Sequence, residues 1–211
     1  LTVLDSIISP LTDTICAGTG YSVGDSTFTQ SGFYELVLSS QLGCDSLVQL
    51  DLTVLEPQAV IEPPDTLTCA NPQLTLNGSS STGDAFQWLG PGGVLLGTNA
   101  LQTISDTGSY ALVATLSATG LSCSDTAWIQ VQGDLNPPVA DPGPDTTLTC
   151  ATPLITLGGM NTTLGPTISY TWTTGNGNIL TNPAIQTIQV DAAGDYTLVV
   201  EDTANGCADT A

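Results

Sequence analysis

Residues 61–77 read IEPPDTLTCANPQLTLN, and residues 139–157 read VADPGPDTTLTCATPLITL. The two stretches are one motif written twice. Each is followed by a tryptophan (Trp88, Trp172) and a Gly-x-Tyr (Gly108-Ser109-Tyr110, Gly194-Asp195-Tyr196). A second cysteine with Asp-Thr-Ala behind it comes last (Cys123, Cys207). A repeat of this length marks a chain of tandem modules. Gln73-Leu74-Thr75-Leu76 and Leu154-Ile155-Thr156-Leu157 are short β-rich runs closed by glycine. Phe86-Gln87-Trp88 and Tyr170-Thr171-Trp172 alternate, and Tyr110–Ala114 and Tyr196–Val200 are later strands. A tryptophan on a middle strand with a Gly-x-Tyr opening a late one is the pattern of an immunoglobulin-like sandwich with a tyrosine corner. The predicted fold is all-β, with no helices.

Outward from the motif, the chain divides at proline-rich joints (Glu56-Pro57, Pro63-Pro64, Asn136-Pro137-Pro138), which favour extended connections. The expected organisation is a small β module over 5–55, an Ig-like sandwich over 56–133 and a second over 134–211. The first module keeps Gly32-Phe33-Tyr34 but has no tryptophan. The third stops at Cys207-Ala208-Asp209-Thr210-Ala211, where the second continues into Trp128-Ile129-Gln130-Val131. Leu1-Thr2-Val3-Leu4 matches Leu52-Thr53-Val54-Leu55, and joining Ala211 to Leu1 aligns CADTALTVLDS with CSDTAWIQVQGD. Residues 1–4 are therefore expected to be the closing strand of a preceding repeat, and the third module is expected to lack its last strand. An unclosed sandwich leaves backbone groups unpaired. The expected partners are neighbouring copies of the same chain, head to tail, by covalent continuation or by donated strands.

The 211 residues include no Lys, Arg or His, against 20 acidic ones. Basic-to-acidic side-chain ion pairs are impossible, and the surface carries one sign of charge. Nucleic acid is excluded as a partner because nothing neutralises phosphates. No apolar run approaches the roughly 20 residues of a membrane helix, so direct membrane insertion is not expected. Yet only 9% of residues are charged and 41% are hydrophobic, so the chain is folded rather than an acidic tail.

Six cysteines fall two per module: Cys16 and Cys44, Cys69 and Cys123, Cys150 and Cys207. Equivalent positions in equivalent modules predict three local bridges, each tying a first strand to a last hairpin. Disulfides imply an oxidising, extracellular setting. Without His or C-x-x-C spacing, zinc is not expected.

The run Pro138–Cys150, with Tyr170-Thr171-Trp172-Thr173 and Ala193–Leu198, resembles the PKD/Ig-like repeats of giant secreted surface proteins and adhesins of Bacteroidota-type bacteria. The first module is similar to their small Gly-Cys-Asp-Ser repeats. The resemblance implies roles in adhesion, gliding or cell-surface fibres, and export to the cell surface or beyond.

Asp-Ser/Thr followed by an apolar residue or Thr occurs nine times. It is similar to the O-glycan acceptor motif of the same bacteria, which implies covalent glycans at Ser6, Thr14, Ser26, Ser46, Thr66, Thr126, Thr146, Thr203 and Thr210. The same dipeptide is ordinary turn chemistry before a strand. The sequons Asn77-Gly78-Ser79 and Asn161-Thr162-Thr163 read as turns. No cofactor is required. Calcium is the one metal the acids of the joints suit (Asp134, Asp141 and Asp145, or Glu62 and Asp65), although no EF-hand pattern is present. Trp88, Trp128 and Trp172 are expected to pack in cores or at edges. Asp106-Thr107-Gly108 sits in a tyrosine-corner turn, and without His or Lys no constellation for acid–base or nucleophilic chemistry exists. The expected role is a structural repeat of an extracellular filament, stalk or adhesin, not an enzyme. A carbohydrate- or surface-binding module, calcium-assisted, is the alternative.

Overall fold

The computed structural model describes residues 7–39 and 45–211. It is all-β, as the two-residue alternation predicts. Its one helical turn among the described residues is a 3-10 turn at Pro91–Gly93. Residues 1–4, expected to be a closing strand, Ser6 and Cys44 lie outside the described residues.

The first module holds β1 (Ile7–Cys16), β2 (Tyr21–Val23), β3 (Ser26–Phe28), β4 (Gly32–Ser39) and β5 (Asp45–Leu55). β5 is central, parallel to β1 and antiparallel to β4. Successive side chains on a strand point to opposite faces, so Val48, Leu50, Leu52 and Val54 of β5 line one buried face. Ile15, Tyr21, Phe28 and Tyr34 pack against them. The rings of Phe28 and Tyr34, 4.3 Å apart, supply the aromatic centre that the absent tryptophan supplies elsewhere. The Tyr34 hydroxyl donates to the carbonyl of Gln30 at 2.9 Å, so even this reduced module has a tyrosine corner.

The second module holds β6 (Leu67–Thr68), β7 (Leu74–Asn77), β8 (Ala85–Leu89), β9 (Leu95–Gly97), β10 (Leu101–Ile104), β11 (Gly108–Ala118), β12 (Leu121–Val131) and β13 (Gly133–Asp134). Its main sheet runs β12-β11-β8-β9, β7 pairs with β10, and β6 runs parallel to β13. Trp88 on β8 is completely buried, and its indole N–H donates to the carbonyl of Asn99 at 3.0 Å.

The third module repeats this order with β14 (Ile155–Leu157), β15 (Ile168–Thr174), β16 (Ile188–Val190), β17 (Tyr196–Asp202) and β18 (Cys207–Thr210). β15-β17-β18 form one sheet and β14-β16 the other. Trp172, Ile188, Val190, Leu198 and Val200 are its core. The Trp172 indole N–H donates to the carbonyl of Ile185 at 3.1 Å, and the Tyr196 hydroxyl to that of Ala192 at 2.7 Å.

The chain forms two compact units. One gathers residues Leu1–Pro64, Thr75–Ile104 and Gly108–Gln130; the other gathers Asp65–Leu74, Ser105–Thr107 and Val131–Ala211. The first unit thus holds the first module and most of the second. The β6–β13 pair belongs with the third module.

Candidate functional site

Strand direction decides what the cysteines can reach. β1 runs parallel to β5 and finishes beside its last residue, Cys16 opposite Leu55. β5 is 11 residues long. At roughly 3.3 Å per residue its ends stand about 33 Å apart. Cys16 therefore stands a strand's length from Asp45, where β5 begins. The second module repeats the geometry: β6 pairs in parallel with β13, beyond the far end of the 11-residue β12 that Cys123 helps to open. Disulfides need Cα atoms within about 7 Å.

The within-module bridges expected from the sequence, Cys16–Cys44, Cys69–Cys123 and Cys150–Cys207, are accordingly not made. Cys16 bonds Cys123, and Cys69 bonds Cys207, with Cα atoms 5.5 and 4.9 Å apart. The first cysteine of one module takes the second cysteine of the next. Cys150 is an exposed free thiol. The bridges span 107 and 138 residues. On the chain-entropy model each contributes roughly 5 kcal/mol, more than the local bridges would.

A hydrogen-bonded latch surrounds the Cys69–Cys207 bond. Asn205, buried, accepts the Cys207 N–H at its side-chain oxygen (2.8 Å) and donates to the Asp134 carboxylate (3.1 Å) and the Asn136 carbonyl (3.3 Å). Its own carbonyl accepts the Ala70 N–H at 3.0 Å. Gly206 has φ +70°, and a Cβ there would lie 2.7 Å from the Cβ of Ala70. Only glycine fits both the left-handed conformation and the close approach.

A second repeated device holds each sandwich's incoming segment. Asp125 accepts the Ala59 N–H, and Asp209 the Ala140 N–H, both at 2.9 Å. The Ser81 hydroxyl bridges the backbone N–H and C=O of Val60, as the Thr162 hydroxyl bridges those of Asp141. The aspartate of Cys-x-Asp-Thr-Ala is thus a clasp. The signal was its recurrence after the second cysteine, and its reading as half of a glycan motif hid this use.

Of the inferred glycan acceptors, Ser26, Thr66, Thr126, Thr146, Thr203 and Thr210 are exposed, and Thr14 and Ser46 are half-buried. The Thr203 hydroxyl already donates to the Thr167 carbonyl at 2.8 Å. Asn77 caps its own turn, accepting the Ser79 N–H at 2.9 Å and donating to Glu62 at 2.7 Å.

Asp134, Asp141 and Asp145 are not brought together. Among the described residues no three His, Cys, Asp or Glu are grouped to hold a metal. Asp134 is engaged by Asn205. Asp141 accepts the N–H groups of Gly143 (2.9 Å) and Asn161 (3.1 Å), which hold its carboxyl below the usual aspartate range. Trp88 and Trp172 are core residues, whereas Trp128 is 66% exposed on β12.

The third module carries a cleft of about 440 Å³, lined by Pro144, Leu148, Leu157, Trp172, Val190 and Tyr196 among others. In the second module Leu67, Leu76 and Tyr110, the counterparts of Leu148, Leu157 and Tyr196, are 0, 0 and 2% exposed, and Val131 is also buried. Leu148, Leu157 and Tyr196 are half-buried. Residues 143–148 carry no strand pairing among the described residues.

No family model matches the chain, and no curated protein matches it. It is similar in structure to a Ca²⁺-stabilized adhesin that helps an Antarctic bacterium reach out and bind ice. That likeness has 14% identity and TM-score 0.42, covering 84% of this chain and 54% of that one, so the chain spans about half the adhesin's length. It is also similar to titin domains I67–I69 (12% identity, TM-score 0.33, covering 97% and 94%). A third likeness is to a Bacteroides ovatus mixed-linkage glucan utilization protein in complex with a heptasaccharide (16% identity, TM-score 0.19, covering 97% and 60%). Among the described residues no helix is long and apolar enough to cross a membrane.

Proposed function

We propose that the chain is a non-catalytic structural repeat of an extracellular bacterial filament, stalk or adhesin, carrying covalent O-glycans and meeting neighbouring copies head to tail. One observation carries this reading: each disulfide joins the first cysteine of one module to the second cysteine of the next. Such stapling serves a series of modules rather than the interior of any single one. The composition fits a surface role. A chain without basic residues has no ion pairs to lose to salt, and its uniform charge opposes uncontrolled self-association. The two disulfides persist in an oxidising compartment. The buried Trp88 and Trp172 offer no stacking platform for sugars, and a carbohydrate-binding reading would have to rest on the exposed Trp128 alone among the tryptophans.

The test is immunogold labelling of native cells with antibody raised against this chain. Gold at regular intervals along surface fibres is expected. Label confined to the cytoplasm, or to a diffuse secreted monomer, would overturn the reading. An intact-mass measurement on the native material adds the glycan arm: a mass equal to the bare chain removes the glycans.

A further inference from the structure

A sheet packed on one side leaves its other face outward, and the outward faces of the three modules differ in charge. In the first module that face carries Glu35, which accepts the Gln49 amide at 2.8 Å, and Asp51, the cross-strand partner of Phe33. In the third, exposed Glu201 of β17 points outward next to the buried Val200. The outward face of the second module's β12-β11-β8-β9 sheet carries no Asp or Glu, in a chain with 20 of them. Asp125, the one acid in these strands, alternates onto the opposite side with the buried Cys123 and Val131. The two-residue turn Thr119-Gly120, with φ +52° and +84°, joins β11 and β12, both 11 residues long. The Ser117 and Ser122 hydroxyls meet at 2.7 Å and fix the register. Counting from that contact sets Trp128 opposite Ala111, which pairs with Leu89, which pairs with Leu95. An apolar row thus crosses the sheet, with the indole of Trp128 66% exposed at one end and Leu95 57% exposed at the other. Neutral polar side chains border the row: Ser124, Thr126 and Gln130 on β12 and Gln87 on β8, all exposed. Among the described residues their hydroxyls and amides have no hydrogen-bond partner.

We infer that this face binds a neutral polysaccharide chain, with Trp128 as its stacking platform and the bordering hydroxyls and amides as partners of the sugar hydroxyls. The chemistry of the face selects the ligand. A sugar ring has an apolar side of C–H bonds and a rim of hydroxyls. An exposed indole bordered by neutral donors and acceptors matches both. No carboxylate has to give up its water when a ligand covers this face. An anionic polymer is repelled by the net charge of the chain. A cationic one finds its carboxylate partners on the other faces. The shape fits a polymer as well. Side chains recur on one side of a strand at about 6.8 Å, so the strip from Ser122 to Gln130 is roughly 27 Å long. An extended saccharide lies along such a strip, whereas a single sugar would leave most of it unused. The surface adds a ligand to the proposed extracellular role and does not depend on the chain forming fibres.

The experiment is native affinity electrophoresis of the 211-residue chain in gels cast with laminarin, dextran, galactomannan or xyloglucan, with alginate as the anionic control. Retardation by one or more of the neutral polysaccharides, and none by alginate, is expected. Acrylamide quenching of the tryptophan emission reads Trp128, because Trp88 and Trp172 are buried. It should fall as the retarding polysaccharide covers the indole. Trp128→Ala should weaken binding about tenfold or more. Its unfolding midpoint should match wild type, since the side chain is exposed. Trp128→Tyr should restore part of the binding, and Gln130→Ala should weaken it less than Trp128→Ala does. Migration unaffected by every neutral polysaccharide, equal retardation of Trp128→Ala, or equal retardation by alginate would overturn the surface. So would native material in which a glycan attached at Thr126 already shields the indole from acrylamide. Gold-labelled fibres of a chain that binds no polysaccharide would sink this surface alone. Binding without fibres would sink the repeat role instead.

Discussion

In the second module Leu67 is paired through β6 with β13 and is fully buried. At the same place in the third module's motif, Leu148 has no such pair among the described residues and is half-exposed. The tryptophan, its indole hydrogen bond and the aspartate clasp are alike in both. The difference teaches that the hydrophobic centre of this sandwich is set by the tryptophan and the strands around it, whereas burial of the flanking leucine goes with the pairing of its own strand.

The largest effect that would sharpen this comparison lies at the latch. Cys207→Ser removes the bridge to Cys69 and should cost 2–5 kcal/mol of stability, read as a lower urea midpoint. Cys150→Ser should leave the midpoint unchanged. Equal losses would mean that Cys150 is also bonded, and the contrast between the modules would vanish.

Next comes the matched pair Leu67→Ala and Leu148→Ala. The first empties a closed core position and should cost about 2–5 kcal/mol. The second removes a half-buried side chain and should cost about 1 kcal/mol in the isolated chain. Urea titrations of both variants measure the gap. A gap near zero would show that the third module is as closed as the second.

Smaller still is the clasp. Asp125→Ala and Asp209→Ala each delete a carboxylate acceptor of one backbone N–H. Each should cost about 1–2 kcal/mol, discounted because the contacts lie near solvent. Similar values at the two sites would show that the clasp contributes alike in both modules.

The smallest effect is the pH response of Asp141. Its folded pKa lies below its unfolded one, because the N–H groups of Gly143 and Asn161 favour the charged form. Its contribution is therefore complete above the ordinary aspartate value of about 3.9 and is lost as pH falls through the lower folded value. The difference in urea midpoint between wild type and Asp141→Ala should be constant near neutrality and shrink in strong acid. A difference that grows on acidification would contradict the hydrogen-bonded carboxylate.

Much of the fold could be read from the residues. The alternating Phe86-Gln87-Trp88 and Tyr170-Thr171-Trp172, and the apolar runs Tyr110–Ala114 and Tyr196–Val200 after them, led directly to β8, β15, β11 and β17. The disulfides were not legible by the same logic. Repetition shows which positions are equivalent, but pairing depends on which end of the sandwich each position occupies. Parallel pairing of β6 with β13 puts Cys69 and Cys123 at opposite ends of the second module. A sequence pattern of period two is blind to parallel or antiparallel pairing. The clasp by Asp125 and Asp209 was hidden because Asp-Thr also fits a turn or a glycan acceptor.

The overlap of the two disulfides carries a mechanical consequence. Tension applied at Cys16 and Cys207 need not be borne by the whole intervening polypeptide. The shortest covalent path runs along the backbone from Cys16 to Cys69 and crosses there to Cys207. A pulled segment can pay out only that much slack before the sulfur crosslinks take the load. Even with every sandwich unravelled, this stretch would behave as a short tether with a hard stop.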